Sequence, residues 1–197
     1  SSDVQLTADD DNVPPQFTKI IKDSGLTIVT CQEILKATGM AREQWRAALE
    51  NELNSLKDGC LRTLTAAEAY STRPRDILPM KVVAGEKAAD ASGYRRKKAR
   101  GCVCGNWEAV DPAELTYTQN VDIASVRMAL AVAARRRWSV SALDVSTAFL
   151  NAFLPIEKQK IVIRPPAIFI KMGLVPAGEL WAAERAIYGL RCSPRAW

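Results

Sequence analysis

Between Met40 and Lys57 the apolar residues Trp45, Leu49, Leu53 and Leu56 recur at spacings of four, four and three, so they line one face of a helix. The pattern then changes. Ile77 to Val83 is apolar and β-branched, and Tyr94 to Cys104 alternates basic with small residues. Between them, Ala89-Asp90-Ala91-Ser92-Gly93 is turn chemistry, which predicts a β-hairpin. A strong amphipathic helix beside a hairpin predicts an α+β fold.

The other segments fill in this frame. Residues 1–29 read as a flexible tail, acidic at first and broken by Pro14-Pro15. Thr30 and Glu33 form a capping box that opens a short helix through Ala37, with Gly39 as its stop; Gly59 stops the longer helix. Asp122 to Arg137 predicts a second strong helix, capped by Asp122, with Ile123, Val126, Leu130 and Ala133 or Ala134 as its apolar stripe. Arg135, Arg136 and Arg137 fall in its last turn, where cations suit the helix dipole. Ser139 to Val145 reads as a buried strand, Ser146 to Leu150 as a turn into a short helix, and Lys160 to Arg164 as a strand stopped by Pro165-Pro166. Leu180 to Leu190 is ambiguous. Pro194 suits the first turn of a final helix. No apolar run approaches the ~20 residues of a membrane-spanning helix, and no membrane partner is expected.

Charge and composition narrow the chemistry. The net charge is +5, and residues 73–100 carry nine of the 27 basic groups against three of the 22 acidic ones. The basicity is therefore a local patch, suited to nucleic acid or a triphosphate, with a merely solvated face as the alternative. Strand alternation puts Arg96, Lys98 and Arg100 on one face and Arg95 and Lys97 on the other. There is no histidine, which excludes Ser-His-Asp and Cys-His catalysis and histidine-ligated metals. The five cysteines show no disulfide-scaffold spacing and read as reduced thiols. An enzyme built from this chain works with carboxylates, lysines, arginines and metal.

The most informative segment is Ser141-Ala142-Leu143-Asp144-Val145-Ser146-Thr147-Ala148-Phe149-Leu150-Asn151. An apolar strand would deliver Asp144 at its C-terminal end, a hard oxygen ligand suited to magnesium. The turn that follows could offer backbone amides to phosphate oxygens, and Phe149 lies five residues past the carboxylate.

Here a resemblance enters. Leu143 to Asn151 resembles the first catalytic motif of reverse transcriptases, in particular those of copia-type LTR retrotransposons. Five further segments agree in order and spacing. Trp45 to Leu53 is similar to the family's opening helix, and Arg96-Lys97-Lys98-Ala99-Arg100 with Gly105 to its basic fingers strand. Thr116-Tyr117 through Arg127 resembles the lead into the palm helix, and Ile161 to Pro165 the strand and proline after the first motif. Ile187-Tyr188-Gly189-Leu190-Arg191 with Ser193-Pro194-Arg195-Ala196-Trp197 resembles the "LYGL…PRxW" signature. The resemblance spans about residues 42–197. It implies one reverse transcriptase domain over 30–197, with fingers at about 40–120 and a partial palm at about 121–197, the hairpin and a partial antiparallel palm sheet carrying Asp144 being packed with helices.

By that resemblance the chain is a portion of an RNA-directed DNA polymerase that uses two Mg²⁺ ions. Asp144 would be the first catalytic carboxylate and would bind metal together with the Val145 carbonyl. Lys98 and Arg100 would clamp the β- and γ-phosphates, and Thr147 and Ala148 would present amides to the triphosphate. Phe149 would sit under the sugar as a steric gate. Tyr188 and Gly189 would line the nucleotide pocket, with Arg191 nearby toward the template. The implied partners are an RNA template, a DNA primer, dNTPs and the remainder of a Pol polyprotein: the rest of the palm, the thumb and an RNase H domain. The implied setting is cytoplasmic, in a virus-like particle of an active element, or nuclear.

The sequence departs from the family in places. Lys81-Val82-Val83 lacks the usual fingers-strand tryptophan, Gly101-Cys102 stands where aliphatic residues are expected, and Ala152 replaces a glycine. No Asp-Asp pair follows Asp144. A second reading therefore stays open, a catalytically inactive remnant that is a basic α/β nucleic-acid-binding module. On either reading the fragment alone is expected to be inactive.

Overall fold

The computed structural model describes residues 26–108, 121–145 and 147–197. Its elements run β1 (Thr27–Val29), α1 (Cys31–Lys36), α2 (Gly39–Lys57), β2 (Leu61–Thr63), α3 (Ala66–Ser71), β3 (Ile77–Glu86), β4 (Lys97–Val103), α4 (Ile123–Arg136), β5 (Val162–Arg164), α5 (Ala167–Lys171), β6 (Trp181–Ala183) and α6 (Ser193–Ala196). The strands form a six-stranded sheet in the order β1-β3-β5-β6-β2, with β4 paired to β3. The α+β class expected from the sequence is the class observed.

Helix α2 carries the stripe predicted for it, since Trp45, Leu49, Leu53 and Leu56 are its buried residues. They join a core whose fully buried members include Ile163, Phe169, Trp181 and Ile187. The Trp181 indole N–H donates to Glu179 Oε1 at 2.5 Å, and the same oxygen accepts from Lys57 Nζ at 3.0 Å and Thr63 Oγ1 at 3.3 Å. Burial pushes the Glu179 carboxyl up, but the donors around it outweigh this and hold it below the usual range.

Local capping was legible. Thr30 caps α1 through a complete capping box with Glu33. Gly39 is a correction: it does not end α1, which closes at Ala37, but begins α2 with φ +53°. Thr65 and Glu68 form a second capping box on α3, a pair the sequence reading passed over. Glu68 also takes both Arg62 guanidinium nitrogens, at 3.0 and 2.9 Å. The Arg62 hydrogen bonds, followed by those from Thr65, hold its carboxyl at about 2. A side-chain carboxyl NMR titration should find Glu68 near that value, and Arg62→Ala should move it up toward 4.5. Because the folded pKa is the lower one, this contribution to stability is present above 4.5 and is lost as pH falls through about 2. A midpoint near 4.5 in the parent protein would contradict the pairing.

The hairpin is the one predicted. β3 and β4 are antiparallel from Met80↔Val103 to Glu86↔Lys97. Asp90 Oδ1 accepts from Ser92 N, Ser92 Oγ and Tyr94 N, and Gly93 takes φ +80° in the turn. The sheet is not wholly antiparallel, however. β5 pairs with β3 in parallel, Ile77↔Val162 to Pro79↔Arg164, which the long chain between them permits. β1 occupies the last three residues of the stretch read as tail and pairs with Ala84 to Glu86 of β3.

The largest correction concerns residues 121–145. α4 forms and is capped by Asp122 Oδ2, which accepts from Ala124 N and Ser125 N. Yet Ala133 is its one buried residue, while Ile123, Val126 and Leu130 are exposed. Residues 139–145 form no strand. A strand needs a partner for its backbone groups and a surface for its apolar face. Among the described residues no strand pairs with 139–145, and Val140, Leu143 and Val145 stand exposed.

Candidate functional site

The site begins with the alternation of β4. Ala99, Gly101 and Val103 turn inward and are buried. Lys97 shares their face and is fully committed there: its Nζ lies 2.6 Å from Glu86 Oε1 and 4.7 Å over the Trp45 ring. The opposite face presents Lys98, Arg100 and Cys102, and all three line a cavity of about 670 Å³. Arg96 precedes the strand, is exposed, and is not among the lining residues.

β3 supplies Val83, Ala84 and Gly85 to the same cavity. The facing wall comes from far along the chain. Phe149 projects from a 3-10 turn, Ala148–Asn151, and Tyr188, Gly189 and Leu190 come from the turn after β6. Tyr188 is held between two groups. The Arg100 guanidinium lies 4.8 Å over its ring, and Phe149 meets it edge-on with centroids 5.6 Å apart.

The Tyr188-Gly189 turn is locked by backbone chemistry. Val103 N donates to Tyr188 O at 2.8 Å, and Arg191 Nε donates to Gly105 O at 2.8 Å. Ser193 is buried, and its hydroxyl donates to Ile187 O at 2.6 Å while accepting from Ile187 N at 3.0 Å. Gly189 has φ +93°, and a Cβ there would overlap the Val103 carbonyl oxygen. A Cβ on Gly105 would overlap the Gly189 oxygen in turn. Two glycines thus let two backbones touch where no side chain fits.

Electrostatically the wall is cationic. Burial, helped by Arg100, Lys87 and Arg96, pulls the Lys98 ammonium below its usual range. Burial pushes the Cys102 thiol up to about 11, so it is protonated at neutral pH and is no nucleophile. What the arrangement can do is hold an anion on Lys98 and Arg100 while an apolar or aromatic body rests on Phe149 and Tyr188.

Residues 71–197, well over half of the chain, match the family model described as "Reverse transcriptase (RNA-dependent DNA polymerase)". The chain belongs to the reverse transcriptase family. It is 28% identical over 160 residues to the "Retrovirus-related Pol polyprotein from transposon RE2" of Arabidopsis thaliana, covering 80% of this chain. It is 27% identical over 158 residues to the corresponding polyprotein from transposon RE1 of the same plant, covering 79%. In each case the aligned part is about 10% of the relative's own length. No solved structure matches the chain. The recognition of a retrotransposon reverse transcriptase from its sequence motifs holds.

Of the residues assigned by resemblance, Lys98, Arg100, Phe149, Tyr188 and Gly189 line this cavity. Asp144, Val145, Thr147, Ala148 and Arg191 are not among its lining residues. Asp144 and Val145 are exposed, Thr147 is exposed in the left-handed region with φ +53°, and Ala148 is half-buried. Arg191 spends its Nε on Gly105 O. Sequence reasoning missed Cys102, although its place two residues past Arg100 signals the shared face. It quoted Ser193 and Glu52 within the motifs but gave neither a role: Ser193 is the one buried polar residue among the described residues, and Glu52 Oε1 accepts from Gly101 N at 2.8 Å.

Proposed function

We propose that the chain is the nucleotide-gripping portion of an RNA-directed DNA polymerase and carries part of its catalytic centre. The observation that carries this reading is the convergence of Lys98, Arg100, Phe149, Tyr188 and Gly189 on one cavity from three distant stretches of chain. On this reading Lys98 and Arg100 hold the β- and γ-phosphates of an incoming dNTP. Phe149 lies under the sugar and disfavours a 2′-hydroxyl, and Tyr188 and Gly189 bound the pocket. Thr147 and Ala148 offer backbone amides, and Arg191 keeps the Tyr188-Gly189 turn in place. Template RNA, primer DNA and the rest of a Pol polyprotein are the proposed partners. The proposed setting is a cytoplasmic particle or the nucleus.

Two Mg²⁺ ions would supply activation of the primer 3′-hydroxyl and stabilise the leaving pyrophosphate. Among the described residues no three His, Cys, Asp or Glu side chains gather as a metal-binding group. No Asp follows Asp144 in the sequence. The described residues therefore do not form a two-ion site by themselves. Asp144 and the Val145 carbonyl are proposed as donors to a site that other Pol residues would complete.

One observation favours a second reading, a remnant that binds anions and polymerises nothing: Asp144 is exposed and lies outside the cavity lining. Primer extension separates the two. The 197-residue chain alone should extend no primer, because a single carboxylate cannot hold two ions ~3.5–4 Å apart. A chain continued through its parent coding sequence to an aromatic-x-Asp-Asp motif should give Mg²⁺-dependent extension that Asp144→Asn abolishes. Templated extension by the short chain would overturn the first expectation. A longer chain that stays inactive, or an active Asp144→Asn variant, would sink the polymerase reading.

A further inference from the structure

Alternate N–H groups of an antiparallel edge strand point away from its partner and need another acceptor. On β4 two such donors find one: Val103 N–H reaches Tyr188 O, and Gly101 N–H reaches Glu52 Oε1 on α2. Gly101 lies between Arg100 and Cys102, so this carboxylate grips the strand in the middle of the cationic wall. Glu52 is half-buried, and its surroundings at Gly101 include Leu56 and Met80. The charged and titratable groups close enough to act on its charge are Arg100, Lys98 and the Cys102 thiol, all from β4.

We infer that Glu52 is a positioning residue that couples proton binding to anion binding: its carboxylate holds β4 at Gly101, and its negative charge opposes an anion on Lys98 and Arg100. The inference rests on the reading of these two cations as the phosphate grip. Coupling of this kind is reciprocal. A protonated Glu52 leaves the full charge of the two cations to the ligand, and a bound anion favours the protonated carboxyl. Burial already pushes the Glu52 carboxyl up, against the opposing pull of the Gly101 N–H and of Arg100 and Lys98. The ionisation therefore falls above the ordinary glutamate range. Affinity should drop as pH rises through it.

The test uses the full 197-residue chain, inorganic tripolyphosphate as probe, and calorimetric titration at several pH values. Glu52→Gln keeps an oxygen that can accept from Gly101 N–H and removes the charge. The ratio of parent to variant Kd cancels the probe's own titration. It should be near one at the acid end and rise to about fivefold at neutral pH, with the variant the tighter binder. As a check that needs no variant, the Glu52 carboxyl ¹³C titration should move to higher pH when tripolyphosphate is added. A ratio that stays at one across the range, or a Glu52 titration that the probe leaves unmoved, overturns the inference while the anion site stands. Tripolyphosphate binding that is absent, or unchanged by Lys98→Ala with Arg100→Ala, overturns the phosphate-grip reading and the inference with it.

Discussion

Replacing Gly189 by alanine should lower the unfolding free energy by about 2–5 kcal/mol. Two costs combine. A Cβ at φ +93° forces an L-residue into the left-handed region, at about 1–2 kcal/mol. The same Cβ would overlap the Val103 carbonyl, and relieving overpacking of that kind costs about 1–3 kcal/mol more. Two controls separate these costs. Gly178 also has positive φ, +81°, but nothing lies within 4 Å of its Cβ position, so Gly178→Ala should show the conformational cost alone. Gly105→Ala, at a glycine with no positive φ, should show the overlap alone. Urea unfolding decides the matter, and domains of this size have little stability to spare. If Gly189→Ala is no worse than Gly178→Ala, the two backbones are not in the contact described.

The second large effect is on anion affinity. Lys98→Ala and Arg100→Ala should each weaken tripolyphosphate or dNTP binding by about 10- to 100-fold, the worth of one charge-assisted hydrogen bond. The two losses should not simply add, because the cations share one wall and one ligand. Arg100→Lys distinguishes charge from shape. It keeps the positive charge but loses the planar fork and the stacking over Tyr188, so it should recover part of the affinity only. Arg96→Ala should change far less, since Arg96 is exposed and outside the lining. Equal losses from Arg96→Ala and Arg100→Ala would place the anion elsewhere on the basic segment.

What was legible in the sequence was whatever a local rule decides. The α2 stripe, the Thr30 capping box, the Asp122 cap and the β3–β4 hairpin each follow from periodicity or from one side chain answering its own backbone. Alternation also separated Lys98 and Arg100 from Lys97, which the structure pairs with Glu86 and Trp45. Relations between distant residues were not legible. Nothing local says that Glu52 will answer the N–H of Gly101, or that Gly105 and Gly189 will meet. Ser139 to Val145 failed for the same reason in reverse. Its composition suits a buried strand, but strand formation depends on a partner that no periodicity within the segment can supply.

The shallow burial of α4, with Ala133 alone buried, and of the exposed stretch carrying Asp144 bears on how folding energy is distributed. Residues 121–145 contribute no member to the buried core, so local opening of this segment should cost less than opening of the sheet. The surroundings of the carboxylate can then rearrange while the cavity of Lys98 and Arg100 keeps its form. Substitutions around Asp144 should then cost the stability of the rest little.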